Sequence, residues 1–205
     1  SRSSASAAAC APCSACTSSQ TSASGGCRRS SLVPSLVVTD HSPRLTVAHG
    51  LDAHRLAAQL DEIDALNAEL APFRILTGIE VDILEDGTLD HGDAILSQLD
   101  VVVASVHSKL RMGSKEMTER MVRAVANPHV DILGHCTGRL IGKREPSTFD
   151  PDYVFAACAQ FHTAVEINCR PERLDPPRPL LQMAVEYGCY FAIDRGGKFR
   201  VAALR

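Results

Sequence analysis

Four apolar runs rich in β-branched residues recur along the chain, and each is followed directly by a residue able to bind a metal ion. The runs cover residues 36–40, 75–79, 101–106 and 130–134. The residues that follow them are His41, Glu80, His107 and His135. Short continuous runs of this kind are typical of strands buried on both faces of a parallel sheet. The pattern therefore predicts four parallel strands, each with a candidate ligand at its carboxyl end.

Helical patterns alternate with these runs. The clearest covers residues 53–70, where leucine and isoleucine recur at spacings of three or four. Further helices are predicted over residues 92–99, 114–127, 150–161 and 179–187, with Ser114 and Asp150 as N-caps and Gly188 ending the last one. Two more strands are predicted over residues 164–168 and 189–194. Repeated strand–helix units indicate an α/β fold with a parallel sheet, either a barrel or an open doubly wound sheet.

The position of the candidate ligands distinguishes these two architectures. No glycine-rich nucleotide-binding motif follows any predicted strand, which disfavours the open sheet. Ligands at several strand ends favour a barrel, because all carboxyl ends of a barrel face one mouth. The predicted strands are fewer than an ordinary (β/α) barrel contains, so we expect a TIM-like barrel that is incomplete.

Composition places the chain among ordinary globular domains. It has 205 residues, of which 45% are hydrophobic and 22% charged. A formal net charge of -3 argues against a general nucleic-acid-binding surface but leaves room for a local basic patch. No apolar run approaches the ~20 residues of a membrane span, so we expect no membrane partner. Cysteines scattered through apolar segments in a chain of this size favour a reducing, cytoplasmic setting.

Residues 1–31 differ in composition from the rest of the chain. They are mostly Ser, Ala, Thr, Cys and Gly without apolar periodicity, and we expect this segment to be disordered. Cys10, Cys13 and Cys16 have the C-x-x-C-x-x-C spacing of iron–sulfur and zinc sites. No fourth cysteine follows at ferredoxin spacing and no histidine is near, so we do not interpret them as a metal site. The segment also lacks the apolar region of a secretory signal.

The four candidate ligands suit particular metals. Imidazole nitrogen with a carboxylate is typical of zinc, manganese or iron, whereas an all-oxygen site would suit magnesium or calcium. Any one of the four could be structural, but recurrence at equivalent strand positions favours a shared metal site. Asp82 lies on the same face of its strand as Glu80, and the sequence leaves open whether it supports the site or lies at the rim. The remaining histidines are predicted to be solvated: His49, His54, His91, His129 and His162.

Basic residues follow the fourth and fifth predicted strands. Arg139, Arg144 and Arg173 are candidate phosphate-binding residues, and Arg170 lies near them in sequence. An arginine can bind phosphate oxygens with two parallel hydrogen bonds. A solvated loop is the equally open alternative. If the loops converge, the arginines indicate phosphate esters rather than neutral amides as substrates.

At these residues the sequence resembles the polymerase and histidinol phosphatase (PHP) superfamily, over about residues 36–194. The resemblance is closest to the branch with the PHP domain of bacterial X-family DNA polymerases and related stand-alone proteins. The residues that resemble the family are 39–42 (Thr-Asp-His-Ser), 78–84 (Gly-Ile-Glu-Val-Asp-Ile-Leu), 99–100 (Leu-Asp), 105–108 (Ser-Val-His-Ser), 133–135 (Leu-Gly-His), 138–139 (Gly-Arg), 166–168 (Glu-Ile-Asn) and 173–175 (Arg-Leu-Asp).

The resemblance implies a distorted TIM-like (β/α)7 barrel with as many as three divalent metal ions at its carboxyl-end mouth. Glu80 would be the catalytic carboxylate that bridges two metals, and His107 and His135 would complete the protein ligands of the second. His41 would serve the third metal. A metal-bound hydroxide would attack the phosphorus atom, and no side-chain nucleophile would be needed.

Two departures from the family pattern affect this expectation. The family's first strand ends in His-x-His, which occurs nowhere before His41, and its last ligand strand has Asp-x-His, where this chain has residues 195–198 (Arg-Gly-Gly-Lys). We therefore expect a PHP-type hydrolase domain over residues 32–194 that is incomplete at both ends, and a non-matching tail over residues 195–205. Only the metal bound by Glu80, His107 and His135 would keep a full set of protein ligands. A frameshift, a mis-spliced transcript or a damaged gene is one hypothesis for such edges, and reading the encoding DNA in all frames tests it.

The sequence thus favours a metal-dependent phosphoesterase acting on a small phosphate monoester or on a nucleic-acid 3′ end. A net charge of -3 favours the monoester, since strand-end processing usually needs a basic channel. The alternative is a catalytically defective PHP remnant that binds at most one metal. A zinc amidohydrolase on a similar barrel also needs a His-x-His strand and gains no support. Phosphatase activity that a chelator abolishes would distinguish the enzyme from the remnant.

Overall fold

The computed structural model describes residues 35–194 and, for the backbone alone, residues 199–202. The expected disorder of residues 1–31 and the candidate site at Cys10, Cys13 and Cys16 lie outside the described residues. Within the described residues, no helix is long and apolar enough to cross a membrane.

Strands and helices alternate along the described chain. The strands are β1 (Ser35–His41), β2 (Arg74–Asp82), β3 (Val101–Ser105), β4 (Ile132–Leu133), β5 (Ala164–Asn168), β6 (Phe191–Asp194) and β7 (Phe199–Ala202). The helices are α1 (Ala53–Glu69), α2 (Asp93–Leu96), α3 (Ser114–Val125), α4 (Pro151–Phe161) and α5 (Arg178–Glu186). A 3-10 helix, Thr46–Ala48, follows β1.

Most helix boundaries follow the capping signals in the sequence. The side chain of Asp150 accepts a hydrogen bond from the first turn of α4, and Gly188, with φ of +73°, follows α5 as predicted. The predicted N-cap of α3 was wrong by one residue: Gly113 is the N-cap, with φ of -57° and ψ of 152°, and Ser114 is already helical. α2 has four residues and β4 two, so both are shorter than the apolar pattern predicts.

The sheet follows the order of the chain, from β1 to β7. β1 to β6 are parallel neighbours, which agrees with the predicted α/β architecture. β7 instead runs antiparallel to β6, so this part of the chain has six parallel strands rather than seven (β/α) units. Only four residues separate β6 from β7, whereas a parallel crossover needs about a dozen or more. The segment expected to be a non-matching tail thus includes a strand.

The two faces of the sheet have different partners because successive side chains of a strand point to opposite faces. On the outer face, Val102 and Ala104 join a large core with helix residues such as Met117, Met121 and Phe155. The inner face has a smaller cluster of strand residues, namely Val37, Val101, Val103, Ile132, Ala164 and Ala192. In β2 the outer face takes Ile79 and Val81, which leaves Glu80 and Asp82 on the inner face with the smaller cluster.

Candidate metal centre

The four predicted ligands meet around one carboxylate at the carboxyl end of the sheet. The strand register places His41 of β1 directly beside Glu80 of β2. Oε1 of Glu80 lies 3.3 Å from Nε2 of His107 and 3.2 Å from Nε2 of His135. Oε2 of Glu80 lies 3.7 Å from Nδ1 of His41. The structure therefore brings together side chains that are up to 94 residues apart in the sequence.

These distances suit the coordination of a divalent metal ion. Two ligand atoms that each lie about 2.1 Å from one metal are about 3.0–3.4 Å apart in tetrahedral or octahedral geometry. The contacts from Glu80 to His107 and His135 fall in this range. One ligand atom each of His41, Glu80 and His107 also lie within 4.8 Å of one another. A set of imidazoles around one carboxylate favours zinc, manganese or iron over magnesium or calcium.

Asp82 forms a hydrogen bond with the ring nitrogen of His107 that faces away from Glu80. Of the two roles left open by the sequence, this contact favours support of the site over a position at the rim. The side chain of Asp82 is almost fully buried, and Oδ1 lies 2.5 Å from Nδ1 of His107. Nδ1 therefore donates to Asp82, and Nε2 points towards Glu80, as in the carboxylate–histidine pairs of many metal sites. The backbone N–H of Asp82 donates to Oγ of Ser42 and to Oδ1 of Asp90, both at 3.0 Å, so the loops after β1 and β2 hold this carboxylate in place.

Burial and mutual contacts set the charges of the cluster. Burial lowers the pKa of His107, but hydrogen bonds with Asp82 and Glu80 outweigh it and raise this pKa to about 9. Burial would raise the pKa of Glu80, yet hydrogen bonds from His107 and His135 hold it well below its usual range. Burial, helped by the neighbouring imidazoles and opposed by Glu80, lowers the pKa of His41. At neutral pH the metal-free cluster therefore has an ionised Glu80 and a protonated His107, whose proton a metal ion would displace.

His135 reaches the cluster through a tightly packed strand end. An added Cβ at Gly134 would lie 2.1 Å from Oγ of Ser105 and 3.4 Å from Oε2 of Glu166, so only glycine leaves room for these polar atoms. The backbone N–H of His135 donates to the Glu166 carboxylate. Nδ1 of His135 is buried and has no hydrogen-bond partner in the described part of the chain.

Three inward-facing residues of β5 and β6 extend the site, and no role was predicted for them. Glu166, Asn168 and Asp194 are buried and line the same cavity as the four candidate ligands. Nδ2 of Asn168 donates to Oε1 of Glu166 at 3.0 Å and to Oδ2 of Asp194 at 3.4 Å. Burial raises the pKa of Glu166 to about 7, with Glu80 and Asp194 adding to the rise and His135 opposing it. The available signal was the alternation of Glu166 and Asn168 with apolar neighbours in a buried strand.

The cavity above the cluster has a volume of about 450 Å³ and arginines on its wall. These are Arg144, Arg170 and Arg173, from the loops that follow β4 and β5. Nε of Arg144 donates to the carbonyl of Gly138 at 2.7 Å, and Arg170 pairs with Glu172 at 2.6 Å. Nη1 of Arg173 is buried and has no hydrogen-bond partner within the described residues. Two of the three predicted phosphate-binding arginines, Arg144 and Arg173, thus face the cavity.

Arg139, the third of them, does not line the cavity. Its Nε donates to the carbonyl of Arg173 at 2.7 Å, and its Nη2 donates to the carbonyl of Leu174. The guanidinium therefore ties the loop after β4 to the loop after β5, and Arg170 rather than Arg139 lies on the cavity wall.

A buried contact fixes the same two loops to each other. Asp175 is completely buried. Its Oδ2 accepts a hydrogen bond from Oγ1 of Thr137 at 2.7 Å, and its Oδ1 accepts one from the backbone N–H of Thr137 at 3.2 Å. The loop after β4 and the loop after β5 therefore share one anchor beneath the arginines.

The expectation that the remaining histidines are solvated was wrong for His91. Its side chain is buried, and Nε2 donates to the carbonyl of Leu51 at 3.0 Å, because the loop after β2 folds back against the loop after β1. His49, His54 and His162 are exposed as expected, and His129 is half-buried.

Comparisons with known proteins identify relatives of the chain. No family model matches the chain. The chain is 46% identical to "DNA polymerase/3'-5' exonuclease PolX" of Bacillus subtilis (strain 168). This alignment extends over 159 residues, or 78% of this chain. Two proteins described as "Probable phosphatase" are each 31% identical to the chain. The one from Thermoanaerobacter sp. (strain X514) aligns over 137 residues, or 65% of this chain. The one from Shewanella oneidensis aligns over 138 residues, or 63% of this chain.

The chain belongs to the PHP superfamily. It spans 28% of the length of the Bacillus relative and 51% and 48% of the lengths of the two phosphatase-like relatives. Among solved structures there is a loose likeness to a chain in the "cryo-EM structure of archaeal Ribonuclease P with mature tRNA", with a TM-score of 0.47 and 14% identity over 78% of this PHP chain and 63% of the other.

Proposed function

We propose that the chain is a metal-dependent phosphoesterase that hydrolyses a phosphate monoester. One observation carries the proposal: the His–Glu cluster and three arginines line the same cavity. The cluster provides ligands for a divalent metal, and the arginines provide donors for phosphate oxygens. The printed names of the relatives support the same chemistry, since exonucleases and phosphatases both hydrolyse phosphate esters.

Glu80, His107 and His135 would hold one divalent ion. When bound, zinc, manganese or iron lowers the pKa of water and neutralises charge on a phosphoryl group. Glu80 would act as the bridging carboxylate, because Oε1 faces His107 and His135 while Oε2 faces His41, which is the candidate ligand of a further metal. Asp82 orients His107 through the hydrogen bond at Nδ1, so that Nε2 is directed at the metal position.

Arg144, Arg170 and Arg173 would bind the phosphate oxygens of the substrate. Arg173 supports this role most directly, since its buried Nη1 has no hydrogen-bond partner within the described residues and an anion would satisfy it. A guanidinium remains charged throughout the physiological pH range and presents its donors in a fixed plane. The arginines would therefore hold the phosphate next to the metal position and bias the site towards dianionic substrates.

A nucleic-acid 3′ end is the second candidate substrate, and the exonuclease in the name of the Bacillus relative favours it. The net charge of -3 favours the small monoester, because a strand-binding channel is usually basic. Rates on a small monoester and on a single-stranded oligonucleotide, compared at two salt concentrations, separate the two substrates. Only the oligonucleotide reaction should slow steeply with salt.

The proposed setting is the reducing cytoplasm. The four cysteines in the described residues, Cys136, Cys158, Cys169 and Cys189, are all free, which supports this placement.

Metal content and hydrolysis, measured on the same preparations, test the proposal. We expect about one zinc, manganese or iron per chain by elemental mass spectrometry, and p-nitrophenyl phosphate hydrolysis that a chelator abolishes. His107→Ala and His135→Ala should lose both metal and activity. The matched control His54→Ala, at an exposed histidine of α1, should keep both. Bound metal without hydrolysis of any phosphate ester would favour the catalytically defective remnant, and a parent without metal would overturn the metal site.

A further inference from the structure

The mouth of the cavity has two chemically different halves. Apolar side chains come from the loops that follow β1 and β3, namely Leu45, Val47 and Leu110. Arginines come from the loops that follow β4 and β5, namely Arg144, Arg170 and Arg173. The candidate metal ligands lie at the floor between the two halves. A phosphate ester has the same division, with an anionic group at one end and an alcohol at the other.

Val47 is exposed to an unusual degree for an apolar residue. Its exposed fraction is 86%, the largest among the exposed large hydrophobic residues of the described chain. A single exposed valine on a surface needs no explanation. Val47, however, lies at the edge of a polar cavity together with the half-buried Leu45. Its exposed side chain is therefore available to contact a molecule bound in the cavity.

The loop that presents Val47 is fixed at its base. Nη1 of Arg55 donates to the carbonyls of His49 and Gly50, at 2.8 and 3.0 Å. An added Cβ at Gly50 would lie 1.9 Å from the carbonyl oxygen of Ser42, so the two ends of the loop are in direct contact. Val47 itself is in the 3-10 helix at the tip. The base of the loop is thus held in place before any ligand arrives, which reduces the entropy lost on binding.

Leu110 links the apolar half to the basic half. Its Cδ2 lies 2.9 Å from the position of an added Cβ at Gly138, so Leu110 packs closely against the loop after β4. The carbonyl of Gly138 accepts the hydrogen bond from Nε of Arg144. The two kinds of side chain therefore adjoin each other, and one small molecule can contact both.

We propose that Leu45, Val47 and Leu110 form a leaving-group subsite for an apolar alcohol, while the arginines bind its phosphate. This inference rests on the proposed phosphoesterase function and narrows its substrate class. Leucine and valine side chains offer no hydrogen bonds, so a polyhydroxylated leaving group such as a sugar would lose hydration without replacement. An apolar leaving group gains from the contact in proportion to the area it buries.

Binding of two phosphonates that cannot be hydrolysed tests the subsite without requiring turnover. Benzylphosphonate and methylphosphonate share the anionic group and differ only in the apolar part. We expect the parent chain, in buffer containing manganese, to bind benzylphosphonate about tenfold more tightly by titration calorimetry. Val47→Ser should reduce this preference about fivefold, the effect of losing about 40 Å² of apolar contact. The affinity for methylphosphonate should not change.

Two further variants separate the halves of the mouth. Val185→Ser makes the same chemical change at an exposed valine of α5 outside this cavity and should leave both affinities at the parent values. Arg173→Gln should weaken both phosphonates by the same factor, because it alters only the basic half.

The inference and the proposed function fail in different ways. A benzyl preference that is absent in the parent, or that is undiminished in Val47→Ser, overturns the subsite. Binding of neither phosphonate overturns it too. Failure to hydrolyse benzyl phosphate counts against the proposed function alone, and a Val47-dependent benzyl preference in the same preparation would still support the subsite.

Discussion

The two ends of the parallel sheet use polar residues in opposite ways. At the amino end, the side chain of Asn67 donates to the carbonyl of Ile75 at 2.9 Å and accepts from its N–H at 2.7 Å. Oδ2 of Asp100 likewise accepts from the N–H and hydroxyl of Thr77, at 3.0 and 3.2 Å. These two side chains complete the hydrogen bonding of β2, which begins at this end.

At the carboxyl end, polar side chains are buried against each other instead. Several of their atoms have no hydrogen-bond partner in the described chain, namely Nδ1 of His41, Oγ of Ser105, Nδ1 of His135 and Nη1 of Arg173. Buried polar groups are normally hydrogen-bonded, so these unpaired atoms at the carboxyl end are unusual. The difference supports the proposal that the carboxyl end binds a ligand, whereas the amino end stabilises the sheet.

The largest expected effect on the free energy of unfolding comes from a residue that hydrogen-bonds two loops at the carboxyl end of the sheet. Arg120 of α3 is buried and donates to the carbonyls of Ile83 and Ser108, which follow β2 and β3. Arg120→Met leaves both carbonyls without this donor, and we expect a loss of about 3 kcal/mol in the free energy of unfolding. Urea denaturation measures it. The control Arg123→Met, at an exposed arginine of the same helix, should cost at most about 1 kcal/mol.

Metal-linked stability should separate the two ends most directly. At a free zinc concentration about 100 times the dissociation constant, the parent chain should gain about 2.7 kcal/mol in the free energy of unfolding. His107→Ala should lose this gain, because it removes a ligand at the carboxyl end. Thermal unfolding with and without zinc measures both. An equal gain in parent and variant would show that the metal binds elsewhere.

A substitution at the amino end should lower the stability of the fold without changing the zinc-induced gain. Asn67→Ala removes two hydrogen bonds to the backbone of Ile75, and we expect it to cost about 1–2 kcal/mol of stability. Its zinc-induced gain should equal that of the parent. A reduced response to zinc in Asn67→Ala would mean that the two ends are not independent.

The smallest effect is a pH dependence of the metal-free chain. The pKa of His107 is raised to about 9, above the ~6.5 of an unfolded chain. Its protonation therefore stabilises the fold fully below about pH 6.5, and this contribution is lost as the pH rises through about 9. We expect a decline on the order of 1 kcal/mol over this window by urea denaturation. His107→Ala should show a clearly smaller decline, confined to the region near pH 7 where Glu166 titrates. A parent whose stability is flat over the window would contradict the Asp82–His107 pairing.

Much of the fold could be predicted because its signals are local. Apolar runs located β1, β2, β3 and β5, and the Asp150-Pro151 pair located the start of α4. The cluster at His41, Glu80, His107 and His135 was also predictable, since the carboxyl ends of parallel strands meet at one edge. The short length of β4 and the antiparallel pairing of β7 have no comparable sequence signal.

The wrong prediction for His91 and the position of Arg139 outside the cavity wall both concern loops that fold back onto other loops. His91 was predicted to be solvated, but its burial depends on contact with Leu51, forty residues away. Arg139 and Arg170 both follow apolar strands, and only the path of each loop decides which one reaches the cavity. Side-chain direction in a loop depends on tertiary contacts, which residue spacing alone does not contain.

The buried contact between Thr137 and Asp175 has an evolutionary consequence. The carboxylate of Asp175 anchors both the loop after β4 and the loop after β5. A change of length or composition in either loop therefore alters the position of the other. Mutational effects in the two loops should therefore be epistatic, and a change in substrate preference would require coordinated substitutions in both. The cavity edge around Val47, attached through the separate contact of Arg55, is free to diversify on its own.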